Sequence, residues 1–306
     1  MGKFSSKLLL GVMKGVGMQP WWLIHMESSF LSWFMSLVGG YRGKIVRGNL
    51  DKVFGKEGVK YEGGFYKNFC DITLESMKLF SASEESILER MEYGEEGLEL
   101  IDELHKKGRN VILVAAHMSN WEMYAMTFSR KIAYKTVALY KKLSDPVIDE
   151  AMKTSRQRMG LEMTEIAECK KWMDTHVAKG GEPIAVGFGF DQSPQSPKRA
   201  WWTTFLGVET AVYFGVEQWA HRYDAAIVYS SVRRVGRGRY KVNFRLVVED
   251  VKELTKGEVV DKCLGELEKE IIASPSDWLW SHKRWKHSRP EGMVLQPRAF
   301  ERKLVK

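Results

Sequence analysis

Cysteine is scarce in this chain: three in 306 residues, Cys70, Cys169 and Cys263, with no C-x-x-C pair among them. That count and spacing exclude a disulfide-stapled module and a cysteine-based metal site. The seven histidines form no H-x-x-x-H or H-E-x-x-H pair, so no structural or catalytic metal is expected. Only 8 prolines occur, and neither internal repeats nor low-complexity tracts are found, which excludes disordered and collagen-like chains. No clean membrane-spanning run is present either. The best candidate by length, residues 21–38, contains His25, Glu27 and four serines. Lys3 and Lys7 precede Leu8-Leu9-Leu10 in the manner of a signal peptide, but Lys14 interrupts the run and no A-x-A site follows, so cleavage is not expected.

What the chain does have is 44% hydrophobic residues, 11 Trp and 14 Phe, enough for one large domain with a substantial core. The formal charge is +8 and unevenly spread. Residues 1–50 carry six Lys/Arg against the single Glu27, residues 192–245 carry nine basic side chains against three acidic, and residues 278–306 carry eight against two. Basic blocks from both chain ends imply a directional face suited to an anionic membrane or to nucleic acid. No basic helix, RNP-type strand or zinc spacing occurs, so nucleic acid is set aside.

Within residues 21–38, Trp22, Met26, Phe30, Trp33 and Leu37 recur at helical spacing, with His25, Ser28, Ser29, Ser32 and Ser36 opposite. The segment reads as an amphipathic helix. Two readings stay open: a helix lying in the lipid headgroup region, flanked by Lys7, Lys14, Arg42, Lys44 and Arg47, or a Trp-rich core helix. On the first reading, residues 1–45 form a membrane-associating segment and 46–306 the catalytic domain.

Further along, helical patterns at 61–80, 95–107, 119–131, 145–159 and 168–179 alternate with apolar runs at 111–115, 136–139, 184–188 and 225–232. Short continuous apolar runs suit strands buried on both faces, and their alternation with helices predicts an α/β fold: a single layered domain with a central, largely parallel sheet flanked by helices. Residues 241–248, after Gly236-Arg237-Gly238, are expected to pair antiparallel with the preceding strand.

His117 follows the first of these runs directly, and Glu122 stands five residues on, at the start of the next helix. Ligands bind open α/β sheets at this edge. A histidine held in one tautomer by a carboxylate is a general base. The plainer alternative is that Ser119-x-x-Glu122 is a capping box and Glu122 only closes the helix start. Asp191-Gln192 ends the run 184–188 and should reach the same edge, with Asp191 in a structural or substrate-orienting role or as a cap of the loop 193–197.

His117-x-x-x-x-Glu122 resembles the H-x4-D/E motif of the glycerolipid acyltransferase superfamily, and the surrounding chain resembles its lipid A late acyltransferase branch. Arg47-Gly48-Asn49-Leu50 resembles the R-x-N-L element. Asp145-Pro146 with Arg156-Gln157-Arg158 resembles the second block. Asp191-Gln192, Pro197-Lys198-Arg199 and Phe205-Leu206-Gly207 resemble the third, and Trp278 to Trp285 resembles the closing W-L-W-x-H-R-R-W element.

The resemblance implies transfer of a fatty acyl chain from acyl carrier protein, less often coenzyme A, to a hydroxyl of a lipid A precursor, without a cofactor or metal. His117 would be the general base, oriented by Glu122. Arg156, Arg158, Lys198 and Arg233 are candidates for clamping anionic groups of the lipid; Arg156 and Arg158, two apart on a helix, are not expected to face the cleft together. The expected partners are acyl carrier protein and an anionic membrane lipid, at the cytoplasmic face of a bacterial inner membrane. The same branch includes enzymes acting on amino lipids and glycolipids, and an inactive membrane-binding scaffold is the alternative of a different class.

Overall fold

The computed structural model describes residues 3–178 and 180–300. In chain order the helices are α1 (Lys3–Met18), α2 (Trp21–Leu37), α3 (Gly43–Phe54), α4 (Glu62–Lys78), α5 (Glu84–Leu88), α6 (Glu95–Lys106), α7 (Trp121–Thr127), α8 (Pro146–Gln157), α9 (Cys169–Ala178), α10 (Gly215–Arg222) and α11 (Glu258–Ala273). The strands are β1 (Met91–Tyr93), β2 (Asn110–Ala115), β3 (Lys135–Tyr140), β4 (Glu162–Glu165), β5 (Ile184–Gly189), β6 (Trp201–Phe205), β7 (Val208–Val212), β8 (Ala225–Gly236) and β9 (Arg239–Val248).

Seven strands form one sheet in the order β1-β9-β8-β2-β5-β3-β4, parallel at every pairing except the antiparallel β8–β9 hairpin. The central strand explains why it reads as an unbroken apolar run. Ile112 and Val114 enter the core cluster on one face with Val46, Leu50 and Leu264; Val111 and Leu113 enter the opposite cluster with Ile101 and Met123. Each such fully buried aliphatic side chain contributes about 1.5–3 kcal/mol. The four predicted apolar runs are therefore β2, β3, β5 and β8, and the hairpin after Gly236 forms as expected. Sequence reading missed β1 and β4, which are short edge strands, and the two-stranded antiparallel sheet β6–β7.

Helices α1 and α2 both pack on α4. The amphipathic pattern of α2 is present, but Ser28 and Ser32 of its polar side face the protein, with Ser29 and Ser36 left at the exposed margin. Ile24, Ser28 and Ser32 are buried, whereas Trp22, Met26, Phe30, Trp33 and Leu37 are 57–67% exposed. The cause lies in α4, which carries the buried carboxylates Asp71 and Glu75. The Ser28 hydroxyl donates to Asp71 at 2.5 Å, and His25 Nε2 meets Glu75 at 3.0 Å. Buried carboxylates need donors, so the polar stripe turns inward and leaves the aromatic stripe outside. The core-helix reading of that stripe is thereby corrected. Among the described residues no helix is long and apolar enough to cross a membrane.

Candidate active site

The register of two parallel strands builds the site. In the β2–β5 pairing Ala115 stands opposite Gly189, and the ladder continues one step further as the Phe190 N–H donates to the Ala115 carbonyl. Two residues beyond each strand end lie His117 and Asp191, side by side at the carboxyl edge of the sheet. Asp191 accepts from the His117 backbone N–H at 3.1 Å and meets Nδ1 of the ring at 2.8 Å. Trp278 Nε1 donates to the same carboxylate at 2.9 Å. Gly189 lies against the imidazole: a Cβ there would stand 3.4 Å from His117 Cε1, in van der Waals contact.

Because Nδ1 donates to Asp191, the lone pair of neutral His117 is on Nε2, where the Gln192 side-chain amide nitrogen lies at 3.1 Å. Burial disfavours the imidazolium, but the Asp191 charge and hydrogen bond, aided by the Glu122 charge, outweigh it and hold the His117 pKa above its ordinary 6.5. For Asp191 burial likewise works against the charged form, and the charge and bonds of His117 with the Trp278 donor reverse it, bringing the carboxyl down to about 2.

Glu122 does not orient His117. Arg156 holds it in a fork, Nη2 to Oε2 at 2.7 Å and Nε to Oε2 at 3.1 Å, with both side chains about one-fifth exposed. The acid nearest in sequence is therefore in an ion pair of its own, and it acts on His117 only through space. Nor does the capping box form. The N-cap of α7 is Asn120, whose side chain accepts from the Met123 N–H at 2.8 Å; Ser119 has a left-handed φ of 47° and binds Asp277 through its N–H and hydroxyl.

The proposed clamp disperses as well. Arg156 is on Glu122, while Arg158 donates to the Leu79 carbonyl at the end of α4. Arg233 pairs with Glu270 of α11. Lys198 is exposed, in a 3-10 turn at 197–199. Only His117, Asp191 and Gln192 of the sequence-derived candidates meet at one point, with Glu122 and Arg156 beside them.

Residues outside that set hold the site, and the sequence blocks explain which. The closing segment pairs with the His117 loop through a Met118–Trp278 bridge and a bond from the Leu279 N–H to the His117 carbonyl. Asn49 of α3 donates to the carbonyls of Trp280 and His282, both at 2.8 Å, so the R-x-N-L element clamps the W-L-W element. Burial lowers the His282 pKa to about 4, keeping its Nε2 free to accept the Ser193 N–H next to Gln192. Arg284 is 2% exposed, over the Phe205 ring, with one bond to the Ala211 carbonyl and no carboxylate partner among the described residues. The tryptophans and the buried arginine of this block were the signal for a supporting shell. Among the described residues no three His, Cys, Asp or Glu side chains cluster as metal ligands.

A mostly parallel α/β sheet whose carboxyl edge carries a histidine paired with a buried carboxylate is an arrangement able to accept a proton from a group bound at that edge. The chain belongs to the bacterial lipid A biosynthesis acyltransferase family, which residues 3–287 match. It is also 25% identical over 198 residues to the lipid A biosynthesis lauroyltransferase of Escherichia coli (strain K12), a match covering 64% of this chain. The chain spans about 62% of that relative's length.

Proposed function

We propose that the protein is a membrane-associated acyltransferase that moves a fatty acyl chain from the thioester of acyl carrier protein, or of coenzyme A, to a hydroxyl of a lipid A precursor. The observation that carries this reading is the His117–Asp191 pair at the carboxyl edge of the sheet. His117 Nε2 takes the proton of the acceptor hydroxyl as its oxygen attacks the thioester carbonyl. Asp191, fixed by Trp278, holds the ring in the right tautomer and stabilises the imidazolium. The tetrahedral oxyanion collapses to the ester, and the departing thiolate regains a proton from His117, so ester and free thiol are the products. The Gln192 amide, 3.1 Å from Nε2, is free to donate to the developing oxyanion once the acceptor hydroxyl takes its place on that nitrogen. Glu122, neutralised by Arg156, adds a weaker field favouring the imidazolium. No cofactor enters these steps.

The exposed aromatic stripe of α2 supports attachment in the headgroup region of the cytoplasmic face of the inner membrane. The excess of basic residues supports an acidic carrier protein as donor and an anionic lipid as acceptor. The test is thiol release from an acyl thioester by the purified protein, with and without a phosphorylated lipid acceptor. Acceptor-dependent release that vanishes in His117→Ala is the expected result; equal release by that variant would sink the reading.

A further inference from the structure

Besides the arginines of the second block, which are tied to Glu122 and Leu79, basic side chains gather at a second place on the surface. A cleft of about 390 Å³ opens between α4 and the turn of the β8–β9 hairpin, with Lys67, Asn68, Arg234, Val235, Arg237 and Asp277 in its lining. Two of its charged groups, Arg234 and Arg237, are anchored to one buried carboxylate. Asp71 accepts from Arg234 Nη1 at 2.7 Å and from Arg237 Nη2 at 2.7 Å, and from the Ser28 hydroxyl of α2. Arg234 also donates to the Asn68 carbonyl oxygen at 2.7 Å. These bonds fix both guanidiniums in place without using all their donors. Arg234 Nε is buried and has no partner among the described residues. Lys67 is exposed, one turn from Asp71 on α4, and no protein group pairs with it among the described residues.

The location selects the kind of anion. His25 of α2 sits against the hairpin turn, so close that a Cβ at Gly238 would fall 2.6 Å from its ring. The cleft thus opens beside the helix whose outer face is the exposed aromatic stripe. Val235, 58% exposed, gives it an apolar rim. On its other side Asp277 receives the N–H and hydroxyl of Ser119, two residues from His117. The Asp277 carboxylate, also in the lining, accepts from the Ser119 hydroxyl at 3.3 Å. The volume exceeds what a bare ion fills and falls in the lower range for small-molecule sites. A phosphate monoester presents three acceptor oxygens and more than one charge, which matches forked guanidiniums beside a free ammonium better than a carboxylate does.

We propose that this cleft binds the phosphorylated headgroup of a membrane lipid, held by Lys67, Arg234 and Arg237 between α2 and the His117 loop. The site needs no turnover, so it stands or falls separately from the acyl-transfer reading. The test is flotation of the full chain with phosphatidylcholine vesicles containing phosphatidic acid, a monoester, or phosphatidylglycerol, a diester of the same sign. Lys67→Gln leaves the Asp71 network intact and is expected to lower the preference for phosphatidic acid several-fold; Lys67→Gln with Arg237→Gln, about tenfold. Lys171→Gln removes an equal charge from α9, beside β4 at the opposite edge of the sheet, and is expected to change nothing. Unchanged binding in Lys67→Gln, or an equal loss in Lys171→Gln, overturns the proposal. Lys67-dependent binding of inorganic phosphate in solution, with no preference among the vesicles, reassigns the cleft to free phosphate and overturns the lipid assignment.

Discussion

Asp191→Asn removes the charge behind His117 while keeping the side-chain shape, and its consequences follow from the geometry. The carboxylate is 2% exposed and 2.8 Å from Nδ1; the ring beside it is 26% exposed. Breaking a buried ion pair of this kind costs about 3–5 kcal/mol, and here the pair reaches full strength only when His117 carries the substrate proton. At 1.36 kcal/mol per decade the acyl-transfer rate is expected to fall about 10²–10⁴-fold. A second signature separates this effect from misfolding. Neutral His117 is the base, so the rate is lost as pH falls through its folded pKa, which in the native protein lies above 6.5. Without Asp191 the burial that disfavours the imidazolium is no longer outweighed, and the acidic limb of the pH–rate profile is expected to move to lower pH even as the rate drops. Initial rates across the pH range, with circular dichroism to confirm folding, measure both. Glu122→Gln is the paired control, expected to cost at least about tenfold less because Glu122 does not touch the ring. A variant at Asp191 within a few-fold of native with an unmoved acidic limb would refute the assignment, as would Glu122→Gln costing more.

The Glu122–Arg156 fork is expected to show a coupling of about 1–3 kcal/mol in a double-mutant cycle on urea unfolding, because either single change leaves a largely buried charge alone. The Asp191–His117 pair also makes stability depend on pH. The Asp191 contribution is present above the ordinary carboxylate range and lost as pH falls through about 2; that of His117 is present below 6.5 and lost as pH rises through its raised pKa. Urea midpoints of the native chain and Asp191→Asn against pH read this. Replacing Trp22, Phe30 and Trp33 by serine is expected to weaken vesicle flotation severely with little change in the unfolding midpoint, since these side chains are exposed. Gly97→Ala is expected to destabilise by about 1–3 kcal/mol, because its Cβ would come 2.7 Å from the Phe244 backbone nitrogen on β9.

The fold was legible wherever burial acts on both faces of a strand. Residues 111–115 and 225–228 are unbroken apolar runs because helices cover the sheet on each side, and the C-terminal ends of their strands point to the edge where His117 lies. Glu162–Glu165 escaped notice because an edge strand needs no such run. The β6–β7 hairpin carried a readable signal, the aromatic and β-branched Trp201–Phe205 followed by a two-residue turn, but Leu206 adopts a left-handed φ of 52° that its residue type does not announce. At the site, local spacing favoured Glu122, five residues from His117. The partner of the ring stands 74 residues away, and only the parallel pairing of β2 with β5 brings it there. For α2, periodicity found the two stripes but not which one faces inward; that depends on Asp71 and Glu75 of α4, whose burial no pattern in α2 records.

On the proposed mechanism His117, backed by Asp191, takes the proton of a lipid hydroxyl as that oxygen receives the acyl chain. Mass spectrometry of total lipids from cells lacking the protein, complemented with the native chain, His117→Ala or Asp191→Asn, tests it most directly. A lipid species heavier by one ester-linked acyl group is expected with the native chain, none with His117→Ala, and a trace with Asp191→Asn. The heavier species at full level in the His117→Ala cells, or no such species with the native chain, would contradict it.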